Sequence, residues 1–184
     1  MDDTVSILWF RKDLRLDDHP ALHQALRARA RVVPVFIWDP EYEHPWAPGA
    51  ASRCWLNHSL HSLDRDLKKM GSRLIFRRGK TIPILDELIG SARAGSVYWH
   101  RRFEPAVADR DASTVQHLNS KGIRTVVLNG SLLREPESIH KEDGEPYRVF
   151  TAYWKAHLRM DSLRMAIPPP RQRLNPVDPS IPSD

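Results

Sequence analysis

The sequence predicts an α/β fold: a doubly wound, five-stranded parallel sheet of Rossmann-like architecture without a glycine-rich phosphate loop. Two observations point there. Five short runs rich in β-branched and aromatic residues recur, at 5–10, 32–38, 73–77, 96–100 and 124–128, and most are continuously apolar, as in strands covered on both faces. Helix-like segments separate them, and strand alternating with helix implies parallel strands joined by right-handed crossovers.

Taken in order, the chain runs from Met1-Asp2-Asp3-Thr4 directly into the first strand run. Asp17 and Asp18 then offer N-caps for a helix with Pro20 in its first turn and Leu22, Ala25 and Leu26 on one face. After the second strand run, residues 50–70 form the clearest helix. Leu56, Leu60, Leu63, Leu67 and Met70 step by four and three, Ser52 offers a cap, and Gly71 a stop. Residues 82–94 and 106–121 repeat the pattern, closing at Gly95 and Gly122. The last segment differs, with six of the 15 prolines in residues 168–184. It cannot hold a helix or a central strand, it has few apolar groups to bury, and it reads as a linker.

Length and composition bound the function. The 184 residues suit one compact domain with its own core. One cysteine excludes an internal disulfide framework and a cysteine-only metal site, which makes the cytoplasm the default compartment. No apolar stretch approaches the roughly 18 residues of a membrane span, and the N-terminus lacks the pattern of a signal peptide. A net charge of +5 fits weak attraction to polyanions, yet such a surplus is common on proteins that never touch nucleic acid.

In doubly wound sheets, ligands sit outside the carboxyl ends of the strands, near the switch in strand order. That draws attention to Arg11, Lys12 and Asp13; Asp39 and Pro40; Arg78 and Gly79; Arg101, Arg102 and Glu104; and Asn129 and Gly130. Neither a dinucleotide fingerprint nor a GxxxxGK[ST] loop is present, so a crevice there must bind through side chains.

Four blocks carry a resemblance. Residues 9–18, WFRKDLRLDD, resemble the WFRxDLRxxDN signature that opens the DNA photolyase and cryptochrome family. Ser52-Arg53-Cys54-Trp55-Leu56 with Ser59, Leu60 and Leu63 resembles its long second helix. Residues 99–105, WHRRFEP, with Arg110-Asp111 resemble its WNRRYEP segment, and residues 144–154, GEPYRVFTAYW, resemble GxPYxVFTPFW. The blocks agree in order and spacing across residues 5–160.

The resemblance implies a light-driven DNA repair flavoprotein with two parts. An N-terminal α/β domain carries an antenna chromophore, methenyltetrahydrofolate, a deazaflavin or a flavin. A C-terminal helical domain holds the FAD that donates an electron to a pyrimidine dimer. This chain resembles only the first part. Residues 1–165 correspond to the antenna domain and residues 166–184 to the start of the interdomain linker, with the FAD domain expected outside the chain. The expected function is therefore the light-harvesting domain of a deoxyribodipyrimidine photolyase, an enzyme as a whole but inactive in repair as this chain. Its partners would be the FAD domain and, through it, damaged DNA, with no membrane and no metal.

Energy transfer by dipole coupling needs a rigidly held chromophore, not a nucleophile or a general base. Aromatic faces and guanidinium groups suit a flat heterocycle with an anionic or polar tail. By position, Phe10, Arg11, Phe36, Trp38, Arg53, Arg102 and Glu104 are expected around it. Two departures leave the chromophore open: Arg102 stands where deazaflavin-binding members often carry aspartate, and Ala106-Val107 replaces an Asn-Glu pair that grips folate in one branch. Tyr147, Phe150, Tyr153 and Trp154 are expected to form the docking face for the helical domain.

Plainer readings stand beside these. Arg11, Asp13, Arg15 and Asp17 could form a local ion-pair cluster, and Arg77-Arg78 and Arg101-Arg102 could pair with carboxylates of the chain itself. His19 and His23 have the spacing of a helical metal pair but no HExxH context, and Cys54 reads as a small buried residue. Two other functions share the predicted architecture: the N-terminal domain of a photosensory cryptochrome, and a free-standing nucleotide-binding domain of the universal-stress or electron-transfer-flavoprotein type.

Overall fold

The computed structural model describes residues 4–28, 30–43, 47–160 and 165–184. Met1 to Asp3, and residues 161–164 beside the expected domain boundary, lie outside the described residues. Five strands, β1 (Val5–Phe10), β2 (Arg31–Trp38), β3 (Ile75–Arg78), β4 (Ala94–His100) and β5 (Arg124–Leu128), alternate with α1 (Pro20–Arg27), α2 (Ala50–Lys69), α3 (Thr81–Ala92) and α4 (Pro105–Ser120). A fifth helix, α5 (Phe150–Arg159), follows. All strand pairs are parallel, in the order β3-β2-β1-β4-β5. The order reverses between β1 and β4, which is the switch point.

The unbroken apolar runs have the expected cause. Side chains alternate across a strand, so Ile7 and Trp9 pack with Val35, Trp99, α3 and α4 on one face. Leu8 and Phe10 pack with Phe36, Tyr98, α1 and α2 on the other. Both faces of the central strands are therefore core. At the edge, β5 is only partly covered, and its Val127 is exposed.

Three helix ends differ from the sequence expectation. The N-cap of α1 is His19, whose ring accepts the Leu22 N–H, because Asp18 adopts a left-handed backbone (φ 46°) and its carboxylate accepts from Ile167 instead. Helix α2 starts at an uncapped Gly49, leaving Ser52 inside its first turn. Helix α3 ends at Arg93 in the left-handed region (φ 52°), so Gly95 falls inside β4. The stops at Gly71 (φ 91°) and Gly122 (φ 74°) are as expected.

The proline-rich segment forms neither helix nor strand, yet the expectation that it has little to bury is corrected. Leu174, Val177 and Ile181 are buried in the two core layers. Its end lies along the outer edge of β3, where Phe76 N–H donates to Ser183 Oγ, Asp184 N–H to the Phe76 carbonyl, and Arg78 N–H to the Asp184 carboxylate. Few apolar side chains suffice because these bonds hold them against an edge strand that would otherwise leave its backbone unpaired. We expect Ile181→Ala to lower unfolding free energy in urea by about 2–5 kcal/mol, as for other buried aliphatic truncations. An unchanged denaturation midpoint would show that the segment contributes nothing to the fold.

Candidate chromophore cavity at the strand ends

Beyond the carboxyl ends of β1 and β2, beside α2, lies an open cavity of about 530 Å³. Trp9, Phe36, Trp38 and Trp55 supply its aromatic surface, and Arg11, Lys12, Arg15, Arg102 and Arg110 its cationic groups. Asp13 and Asp39 are the acids in its wall, with Ser52 and Ser59 facing from α2. Of the residues expected from sequence, the fold brings Arg11, Phe36, Trp38 and Arg102 together here.

Phe10, Arg53 and Glu104 are placed elsewhere. Strand alternation turns Phe10 into the core opposite Trp9, where its ring meets the edge of His19 at 4.9 Å. Arg53 shares a helix face with Asn57 and Leu60 and lines a neighbouring cavity on the far side of Trp38, together with Phe76 and Arg78. Glu104 sits at the rim, bonded to Arg102 (2.6 Å) and near Lys12 (3.4 Å). The Arg102 hydrogen bond holds its pKa down to about 2.

The floor is built on a buried ion pair. Arg11 Nη1 donates to both carboxylate oxygens of Asp111 (2.8 and 2.7 Å), and its Nη2 donates to the His100 carbonyl. Burial lowers the Arg11 pKa, and Asp111 opposes the shift. The guanidinium groups of Arg11 and Arg110 lie 4.8 and 5.1 Å from the ring centroid of Trp9. Asp39 Oδ2 accepts from the Thr81 N–H and hydroxyl at the start of α3 (2.8 and 2.7 Å). Trp9 Nε1, Arg11 Nε and Asp39 Oδ1 are buried and have no hydrogen-bond partner among the described residues.

The local ion-pair cluster expected for the first loop is not formed. Arg11 reaches Asp111, Asp13 meets two histidines, and Arg15 donates to the carbonyls of Asp17, Asp18 and Gly130. Opposite charges two residues apart lose to partners that the fold brings in. Of the other arginines, Arg77 pairs with Glu87, Arg101 with Glu137 and Arg102 with Glu104 as expected, whereas the Arg78 side chain lines the neighbouring cavity. His19 faces Asp13 and His100 rather than pairing with His23 across a metal, and Cys54 is exposed, not buried.

Trp55 is the residue that sequence reasoning missed. At 76% exposure it lines the cavity opposite the strand ends, one turn along from Ser52 and ahead of Ser59 on the same helix face. That spacing was the available signal. His19 and His100 form the other unforeseen feature. They stand where WFRxDLRxxDN and WNRRYEP carry asparagine, and their rings lie 4.2 Å apart in the core.

Three of the four resembling blocks therefore supply residues to this one cavity, while the fourth forms the start of α5, and comparison with known proteins agrees. The DNA photolyase family matches residues 6–173. Cryptochrome-2 of Arabidopsis thaliana is 39% identical over 95% of this chain, and a deoxyribodipyrimidine photo-lyase of Agrobacterium fabrum is 37% identical over 92%. The chain spans 28% and 35% of those two proteins. The crystal structure of a bacterial class III photolyase from Agrobacterium tumefaciens superposes with a TM-score of 0.89 at 34% identity, covering 100% of this chain and 37% of that one. An archaeal photolyase from Sulfolobus tokodaii, described with two FAD molecules and a novel light-harvesting cofactor, gives 0.79 at 27% identity, covering 98% and 40%. With its fold, motifs and most of its length in common with these proteins, this chain belongs to the DNA photolyase family.

Proposed function

We propose that the chain is the light-harvesting antenna domain of a deoxyribodipyrimidine photolyase, holding a flat chromophore in the cavity at the ends of β1 and β2 and inactive in repair by itself. The observation that carries this reading is the cavity wall. Its volume of about 530 Å³ falls within the range of small-molecule sites, and its aromatic surface comes from separate elements, Trp38 from β2 and Trp55 from α2. The buried donors Trp9 Nε1–H and Arg11 Nε–H and the buried acceptor Asp39 Oδ1 lack partners in residues that line it. The choice among methenyltetrahydrofolate, a deazaflavin and a flavin stays open.

When bound, the chromophore absorbs near-ultraviolet or blue light and passes the excitation on by dipole coupling. The chain's residues would hold its orientation. Trp38 and Trp55 stack on the ring, the cationic groups receive an anionic or polar tail, and the Arg11–Asp111 pair keeps the floor rigid without adding net charge.

The recipient of that energy belongs to the rest of the proposal: a C-terminal helical domain carrying FAD, which would also contact damaged DNA. Helix α5 supports it. Phe150 is 73% exposed, Trp154 stacks on it at 6.3 Å, and Val149 and Leu158 extend the exposed apolar face. Tyr147 and Tyr153 are half-buried beside it. On this reading, residues 166–184 begin the connection between domains. A cytoplasmic location is part of the proposal, and no described helix is long and apolar enough to cross a membrane. The identity with a cryptochrome favours, as a second reading, the same domain serving a photosensory protein.

Gel filtration of the chain with methenyltetrahydrofolate, FMN or an 8-hydroxydeazaflavin should carry near-ultraviolet or blue absorbance with the protein for at least one of them. Trp38→Ala and Trp55→Ala should each weaken that binding by roughly three- to tenfold, the scale of one lost aromatic stack. Co-elution of none would remove the antenna reading for the isolated chain. In a second experiment, the chain incubated with FAD, dimer-containing DNA and blue light should leave the dimers intact; measurable repair would contradict the assignment.

A further inference from the structure

Arg11, Lys12 and Arg15 reach the cavity from one loop, and a single buried carboxylate ties that loop down. Asp13 Oδ1 accepts the Arg11 backbone N–H at 2.7 Å, and the Asp13 carbonyl accepts the Arg15 N–H at 2.7 Å. Its other oxygen, Oδ2, faces two buried imidazoles, with His100 Nδ1 at 2.5 Å and His19 Nε2 at 3.2 Å. None of these three atoms has a partner in full hydrogen-bond geometry among the described residues, so the two contacts are close approaches between them.

The opposite nitrogen of each ring is already committed. His19 Nδ1 accepts the Leu22 N–H and His100 Nε2 accepts the Ala21 N–H, each at 3.1 Å, so both rings cap the first turn of α1. A ring nitrogen that accepts a hydrogen bond carries no proton, and a neutral imidazole keeps its proton on the other nitrogen. His19 is therefore the Nε2–H tautomer and His100 the Nδ1–H tautomer. The protonated nitrogens are the two that lie nearest Asp13 Oδ2.

The same constraint argues against a metal ion, although the three groups lie within 4.8 Å of one another. A metal would displace both protons and leave each ring without any N–H, whereas ligating histidines ordinarily donate from the second nitrogen. Two ligands at tetrahedral bond lengths of about 2.1 Å also sit roughly 3.4 Å apart, well beyond the 2.5 Å found for Asp13 and His100.

We propose that Asp13, His19 and His100 form a positioning triad, two neutral imidazoles donating into one carboxylate, that fixes loop 11–15 and so places its cationic side chains around the bound ligand. The ligand clause rests on the cavity reading above; the triad itself does not. Around it, the loop contributes Arg11 and Arg15, β4 contributes His100, α1 contributes its first amides, and α4 reaches it through Asp111 on Arg11. Burial raises the Asp13 pKa, but the neighbouring His100 and His19 outweigh it and hold the group well below the usual carboxylate range. Burial lowers His19 against the pull of Asp13, with His100 and Arg15 adding to the lowering. A histidine lowered in the fold accepts its proton first in the unfolded chain. The stability it confers is present above about pH 6.5 and is lost as pH falls below that.

The test is long-range nitrogen–proton NMR of the imidazoles in the 184-residue chain at near-neutral pH. We expect His19 protonated at Nε2 and His100 at Nδ1, unmoved by added zinc. The same tautomer on both rings, a doubly protonated ring, or a zinc-dependent shift would overturn the triad without any variant having to fold. Asp13→Asn turns N–H donors toward N–H donors; it should displace the amide resonances of residues 11–15 and weaken FMN or methenyltetrahydrofolate binding about tenfold or more, as for a lost charge-assisted bond. His100→Asn, which keeps one donor and one acceptor, should preserve both readouts, whereas His100→Leu should not. Unmoved loop resonances in Asp13→Asn would refute the positioning role. A triad confirmed by NMR in a chain that binds neither probe would instead locate the failure in the cavity reading.

Discussion

The pairing of Arg11 with Asp111 is the interaction on which the rest of the site depends. It joins the end of β1 to α4 across the point where the strand order reverses, while the same guanidinium donates to the His100 carbonyl at the end of β4. Two strands and a helix thereby meet at one side chain. A buried pair of this kind adds little over an apolar contact, but removal of either member strands a charge at a cost of about 3–5 kcal/mol. The consequence is geometric definition more than bulk stability. The floor of the cavity cannot shift without breaking bonds that tie the end of β1 to two other elements.

Around that floor, charge and aromatic surface are divided by element. The loop after β1 carries the cations, β2 and α2 carry the rings, and Asp39 both faces the cavity and accepts from the start of α3. Two arginines lie near the face of Trp9 and Asp111 pairs with both, so the floor is strongly polarised. On the proposed reading, such a site would hold and orient a flat molecule.

Much of the fold was legible because it depends on local chemistry. The runs at 5–10 and 124–128 match their strands to the residue, and the step of apolar residues from Leu56 to Leu67 locates α2. Errors arose where a distant group changed a local choice. Asp18 looked like a cap but is held by Ile167, which leaves His19 to cap α1. The prolines of the last segment exclude regular structure correctly, yet Leu174, Val177 and Ile181 find cover because the edge of β3 offers hydrogen bonds to the chain beside them.

The site divides in the same way. The sequence alone determined the residue types at the strand ends, the family they resemble, and the presence of Arg11, Phe36, Trp38 and Arg102 around one crevice, since each follows from strand position and period. Only the tertiary structure decided which neighbours joined them. Phe10 left for the opposite face, Trp55 entered from helix α2, and His19 and His100 met over Asp13. The reason is physical: spacing along a chain fixes the face on which a side chain lies, whereas the partner it meets there depends on how strands and helices pack across the sheet.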